Sequence, residues 1–282
     1  MTKLNSYLEL IRFYNPIGFW LLLWPGLWGL FLSDNFNISN FTIVILGSFL
    51  TRSLGCAIND LSDMKFDKNV ERTKDRPLAN NSLSVLEALL FIILLSVCSL
   101  LLLSLTNTFT IKLVGLIAVP MIVIYPLMKR FIAVPQIFLG ATFGLSLPIS
   151  YSIAEGAISL EVLFLYFGCV FWIIAYDTYY ALCDFDDDKK LKLNSAAIFF
   201  GDDTRKAVIV FSSLFALSIL ILAYKNVSSI IAIGALFLLY QIYFQNQLSR
   251  SNKNLEAFKA NSQIGLVVAV LLFIEKQSEF FS

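Results

Sequence analysis

Residues 83–105 read LSVLEALLFIILLSVCSLLLLSL, and Glu87 is the one charge in the run. About 20 mainly apolar residues in a helix cross the roughly 30 Å hydrocarbon core of a bilayer. A buried strand needs only about four to eight, so this run predicts a membrane-spanning helix. Outward from it, the same pattern recurs at about 13–33, 38–58, 109–128, 132–153, 159–183, 206–224, 228–247 and 257–274. Nine spans in all are expected, giving an all-α, polytopic membrane helical bundle. Pro120, Pro126, Pro135 and Pro148 interrupt the fourth and fifth, which packed neighbours accommodate inside a bundle.

Composition agrees. Of 282 residues, 58% are apolar and 15% charged, where a soluble domain carries about 25% charged residues. The chain holds no histidine, which excludes Ser-His-Asp hydrolysis, His-ligated zinc or haem, and an imidazole base. Four cysteines lie in apolar stretches without a C-x-x-C pair and read as small hydrophobes. The first apolar run lacks a small-residue cleavage site and opens on Asn15-Pro16, so no cleavable signal is expected. One integral membrane domain, 1–282, is predicted.

The basic residues orient the bundle. Seventeen of 21 fall in the N-terminus and in loops 59–82, 129–131, 184–206 and 248–259. Lys112, Lys225 and Lys276 lie on the other side, and Arg52 falls inside the second span. This bias predicts that the first side, with the N-terminus, is cytoplasmic, placing the chain in the inner (cytoplasmic) membrane of a bacterial cell.

Acidic residues gather on that same side. Asp60, Asp63, Asp67, Glu71 and Asp75 follow the second span; Asp177, Asp184, Asp186, Asp187, Asp188, Asp202 and Asp203 follow the sixth. Asn59, Asp63 and Asp67 recur every four residues, as do Tyr180, Asp184 and Asp188, so each set shares a helical face. Carboxylates so spaced repel, and charge near lipid is costly. A cation is therefore expected between them. Mg²⁺ suits oxygen ligands and phosphate-bearing partners. Asp75, Asp202 and Asp203 read as ordinary surface charge, as do Lys65, Lys68, Lys189, Lys190 and Lys192. Arg72, Arg76, Lys129 and Arg130 stand just beyond the first acidic face and at the end of the fourth span; guanidinium groups grip phosphate or carboxylate. Together these predict a diphosphate site at the cytoplasmic mouth.

The motifs carry a resemblance. Asn59-Asp60-Leu-Ser-Asp63-Met-Lys-Phe-Asp67, followed by Arg72-Thr-Lys-Asp-Arg76-Pro77, and Asp177-Thr-Tyr-Tyr180-Ala-Leu-Cys-Asp184 running on to Asp188 resemble the two aspartate-rich signatures of the intramembrane aromatic prenyltransferases, the UbiA superfamily. Leu21-Leu-Leu-Trp24-Pro25, Tyr125 to Arg130, Pro135-Gln136 and Ser195 to Gly201 resemble its 4-hydroxybenzoate polyprenyltransferase branch. Tyr14-Asn15 departs from that branch's usual Asp-Lys.

The resemblance implies Mg²⁺-dependent transfer of a polyprenyl group from its diphosphate to the ring of 4-hydroxybenzoate in ubiquinone biosynthesis. It implies Asn59, Asp63 and Asp67 as ligands of one Mg²⁺, and Asp184 and Asp188 of the other. Arg72, Arg76 and Lys129 support the leaving group, and Tyr125 and Tyr180 offer aromatic faces to an allylic cation. The acceptor's carboxylate meets Arg130 or, failing it, Arg12. The ring proton goes to Asp184, to Asp177 or to the leaving diphosphate. Arg52 pairs with an acidic ligand. Expected partners are the two substrates and the lipid bilayer, with no nucleic acid. Two alternatives stay open: another acceptor of menaquinone or haem O type, and, from a different class, an ion-coupled transporter with paired intramembrane carboxylates.

Overall fold

A computed structural model of the chain describes residues 2–68, 70, 73–226 and 228–281, with the backbone alone at Pro126, Lys129 and residues 278–281. Among the described residues the regular structure is entirely helical. A short helix α1 (Lys3–Leu10) precedes α2 (Ile17–Phe31), α3 (Ile38–Asp67), α4 (Val85–Leu103), α5 (Thr108–Ile124), α6 (Pro135–Glu155) and α7 (Leu160–Cys183). After the small α8 (Phe185–Lys190) come α9 (Ala196–Lys225), α10 (Ser229–Arg250) and α11 (Asn254–Phe281).

Seven of these are long and apolar enough to cross a membrane: α3, α4, α6, α7, α9, α10 and α11. The expected first and fourth spans are helical but shorter. At about 1.5 Å per residue, α2 with its 15 residues reaches only about 22 Å. Helix α5 contains a π-helical turn at Val114–Ala118 ahead of Pro120, which a missing proline N–H readily produces.

Side-chain caps start most of the long helices. Asn37, Ser84, Asn107, Ser159 and Ser228 each accept from the backbone N–H three residues on, and Ser84 with Glu87 closes a full capping box. Helix α4 is apolar all round and turns Leu86, Leu90, Ile93, Leu100 and Leu101 outward. Such a surface is stable against lipid tails, while the helix packs inward on α3 and, through Phe91 against Tyr7 at 4.9 Å, on α1.

The inner helices α2, α6, α7 and α11 pack in a ring, with α9 and α10 closing a second ring on α7 and α11. Aromatic rings fill the centre. Trp28, Trp172 and Phe215, all fully buried, lie with centroids 5.1, 5.6 and 5.7 Å apart. Buried indole N–H groups need acceptors. Trp28 donates to the Gly265 carbonyl at 3.0 Å, and Trp172 to Asn261 Oδ1 at 2.9 Å. Gly29 lets α2 touch α6, since a Cβ there would strike the Leu147 carbonyl.

One end of the bundle is tied by polar loop contacts. Glu155 accepts from the Asp34 and Asn35 N–H groups at 2.8 and 2.9 Å, and Glu161 from Lys225 and Asn226 at 2.9 Å each. The opposite end opens into the cavity described next.

Candidate active site

The segment before α2, the loops after α3, α5 and α7, and the first turns of α11 meet around a cavity of about 910 Å³. Helix α3 reaches it because it is unbroken for 30 residues, about 45 Å at helical rise. Its first turns are apolar and its last carry Asn59, Asp63 and Asp67, all three on the cavity wall. Asp177, Tyr180, Asp184 and Asp188 line it from the α7 side. Two clusters more than a hundred positions apart thus share one chamber.

The second cluster departs from the expected continuous helix. Helix α7 stops at Cys183, with Asp184 at φ −99° and ψ 7° as the cap, and α8 begins at Phe185. Tyr180 therefore does not share one unbroken helix with Asp188. The local register survives, because the Asp188 N–H donates to the Asp184 carbonyl at 2.8 Å. Among the described residues, no three acidic or thiol side chains close around a single point as a metal centre.

Cations face the acids. Arg76 Nη1 donates to both oxygens of Asp67, at 3.1 and 3.0 Å. The loop carrying it is braced by Thr73, whose hydroxyl donates to the Asp67 carbonyl at 3.2 Å. Arg12 Nη2 donates to Asp60 Oδ1 at 2.6 Å, so this arginine meets an internal carboxylate. Arg130 lines the cavity with its guanidinium 5.3 Å above the Phe66 ring. Tyr125 lines it too, and Tyr180 packs on Phe258 at 5.0 Å. Arg72 lies outside the described residues, as does the side chain of Lys129.

Arg52 sits in the wall with its guanidinium carbon 5.8 Å from the centre of the Phe143 ring. No carboxylate is its hydrogen-bond partner at Nε, which has none among the described residues. Gly18 makes room for it, since a Cβ there would come within 2.5–2.6 Å of Arg52 side-chain atoms. Asp75, expected as plain surface charge, lies on the cavity rim, whereas Asp203 is exposed and pairs with Lys206 at 2.7 Å.

Asp60 is the residue that four-residue spacing misses. It is fully buried and lies between Arg12 and Arg76. Seven residues fall about 20° short of two helical turns, while eight overshoot by about 80°. Asp60 is therefore better aligned with Asp67 than Asn59 is. The buried stripe Ser53, Ala57, Asp60 and Asp67 carries the signal.

The model of the UbiA prenyltransferase family matches residues 22–267. A 4-hydroxybenzoate octaprenyltransferase of Polynucleobacter necessarius is 40% identical over 266 residues, covering 92% of each chain. One from Vibrio atlanticus is 38% identical over 285 residues, covering 97% of this chain and 98% of its own. Among solved structures, a UbiA homolog from Aeropyrum pernix superposes with a TM-score of 0.81 at 22% identity, covering 91% of this chain and 97% of that one. A UbiA homolog from Archaeoglobus fulgidus, bound to GPP and Mg²⁺, gives 0.72 at 20% identity, covering 95% and 99%. The chain is a multi-pass membrane protein of the UbiA prenyltransferase family.

Proposed function

We propose that this chain transfers a polyprenyl group from polyprenyl diphosphate to a ring carbon of 4-hydroxybenzoate, with Mg²⁺ as cofactor. The observation that carries the reading is the convergence of both aspartate clusters and the facing arginines on one cavity. The relatives named for this reaction, similar over nearly the whole chain, support it.

The donor set fits the metal. The cavity presents the Asn59 amide and the carboxylates of Asp63, Asp67, Asp184 and Asp188, and the chain has no imidazole. Such hard oxygen donors suit Mg²⁺. Asn59, Asp63 and Asp67 hold one ion, and Asp184 and Asp188 another. When bound, Mg²⁺ supplies Lewis-acid neutralisation of diphosphate charge.

The protein's own groups do the rest. Arg76, with Arg72 and Lys129, binds the diphosphate and stabilises charge where it develops, usually the largest catalytic term. As the C–O bond to the diphosphate breaks, Tyr125 and Tyr180 turn π-faces to the allylic cation, at about 0.5–2 kcal/mol per desolvated ring. Arg130 orients the acceptor through its carboxylate; Arg12, the expected alternative, is engaged by Asp60 at 2.6 Å. A ring carbon then forms the new C–C bond, and Asp177 or Asp184 takes the proton it loses. Apolar walls keep water from the cation.

The same reading makes 1–282 one domain in the inner (cytoplasmic) membrane. The N-terminus and the cavity mouth face the cytoplasm, and α2 and α5 complete nine crossings. The test is purified protein in bilayers with polyprenyl diphosphate, Mg²⁺ and a panel of acceptors, read by mass spectrometry. Ring-prenylated 4-hydroxybenzoate is expected. Product with a naphthoate or haem alone would replace the acceptor, and solute uptake without any product would replace the class.

A further inference from the structure

Asp60 belongs to neither proposed metal set; it stands in the cavity wall, yet its own surface is wholly enclosed. Its Oδ1 accepts from Arg12 Nη2 at 2.6 Å and stands 3.2 Å from Arg76 Nη1. One guanidinium arrives from the segment before α2, the other from the loop after α3. A carboxylate shut away from water is sustained only by well-placed cations, and losing either leaves the remainder poorly compensated.

Arg12 is brought there at a cost to its backbone. It adopts φ 60°, a conformation uncommon for any residue with a Cβ. Two bonds to one carbonyl hold it, from Arg12 N and Arg12 Nη1 to the Glu9 oxygen, each 2.9 Å. Arg76 meets Asp60 and Asp67 through the same nitrogen, Nη1; its Nη2 and Nε take no part in those contacts. Asp60 Oδ2, meanwhile, has no hydrogen-bond partner among the described residues. When Asp67 turns to a cation it releases Arg76, and this second oxygen on the same buried carboxylate is an acceptor for the freed donor.

We infer that Asp60 is a positioning residue for the prenyl donor. It holds Arg12 and Arg76 in the cavity wall whether or not Asp67 is engaged elsewhere, so that the guanidinium edges it leaves unused bind diphosphate. The inference rests on the prenyl-transfer reading above and adds to it a residue that acts through others.

The test compares D60N, D60E, R76A and the D60N/R76A double variant in the prenylation assay, with thermal unfolding of each purified protein. D60N is expected to raise KM for the polyprenyl diphosphate by roughly tenfold, with KM for 4-hydroxybenzoate unchanged and kcat altered less. D60E should recover part of that loss. In the double variant the penalty should not exceed that of R76A by the full D60N factor, since both act on the same guanidinium. If D60N fails to fold, R12Q reports the same split from the other side of the pair. An unchanged donor KM in a folded D60N, or in R12Q, overturns the inference, as does full additivity in the double variant. Absence of product from the wild-type protein would instead sink the prenyl-transfer reading.

Discussion

Arg76 donates from a single nitrogen to both carboxylate oxygens of Asp67, at 3.1 and 3.0 Å. The carboxylate proposed to hold a cation is thereby held by a guanidinium, and a metal entering the cavity competes with it. R76A is expected to reach half-maximal rate at a lower Mg²⁺ concentration than wild type. Its KM for the prenyl donor should rise by roughly ten- to a hundredfold, the worth of a hydrogen bond to a charged group. Metal titrations at saturating donor separate the two effects; a higher Mg²⁺ requirement in R76A would count against the competition.

Gly18 and Arg52 offer a second test. A methyl at residue 18 would fall 2.5–2.6 Å from the Arg52 side chain, which is displaced more readily than the helix. In G18A the arginine should leave its seat above Phe143 and product formation should fall by roughly ten- to a hundredfold, as misplacing a group by about 1 Å can do. The unfolding midpoint should barely move. A large loss of stability at full activity would show that Gly18 serves packing instead.

Trp172 has the opposite profile. Its indole is buried against Trp28 and Phe215 and donates to Asn261 at 2.9 Å. W172A removes that packing, opens a cavity and strands the Asn261 acceptor, for about 3–5 kcal/mol. Thermal unfolding in detergent should show a marked drop, with W172F intermediate. An unchanged midpoint in W172A would mean the aromatic centre contributes little.

Cysteine chemistry reports on sidedness. Cys183 is exposed and lines the cavity, while Cys56 and Cys169 are buried. A membrane-impermeant maleimide should label Cys183 in inside-out vesicles and not in intact cells, and polyprenyl diphosphate should slow the labelling. Labelling from outside intact cells would reverse the proposed orientation.

The helices were legible in the sequence because lipid imposes a coarse demand, a long apolar run, that residues 83–105 meet without ambiguity. Span lengths were less so. Helix α2 ends at Phe31 and α5 is distorted ahead of Pro120, since local backbone chemistry decides where an apolar run stops being regular. The acidic faces were legible through spacing, and both reach the cavity. Asp60 was not, because its significance comes from Arg12 and Arg76, residues that only the fold brings to it. The break at Asp184 was hidden for a related reason: the four-residue repeat survives across the cap, so periodicity alone runs straight through it.

One measurement bears most directly on whether two distant clusters serve one metal-assisted reaction. Each cluster is disabled singly, as D63N and as D184N, and ring-prenylated product is quantified over a Mg²⁺ series with an EDTA control. Both variants should fall by roughly a hundredfold or more, and wild-type activity should vanish in EDTA and return with Mg²⁺. Full turnover by either variant, or product formation unaffected by EDTA, would contradict a shared metal site in this cavity.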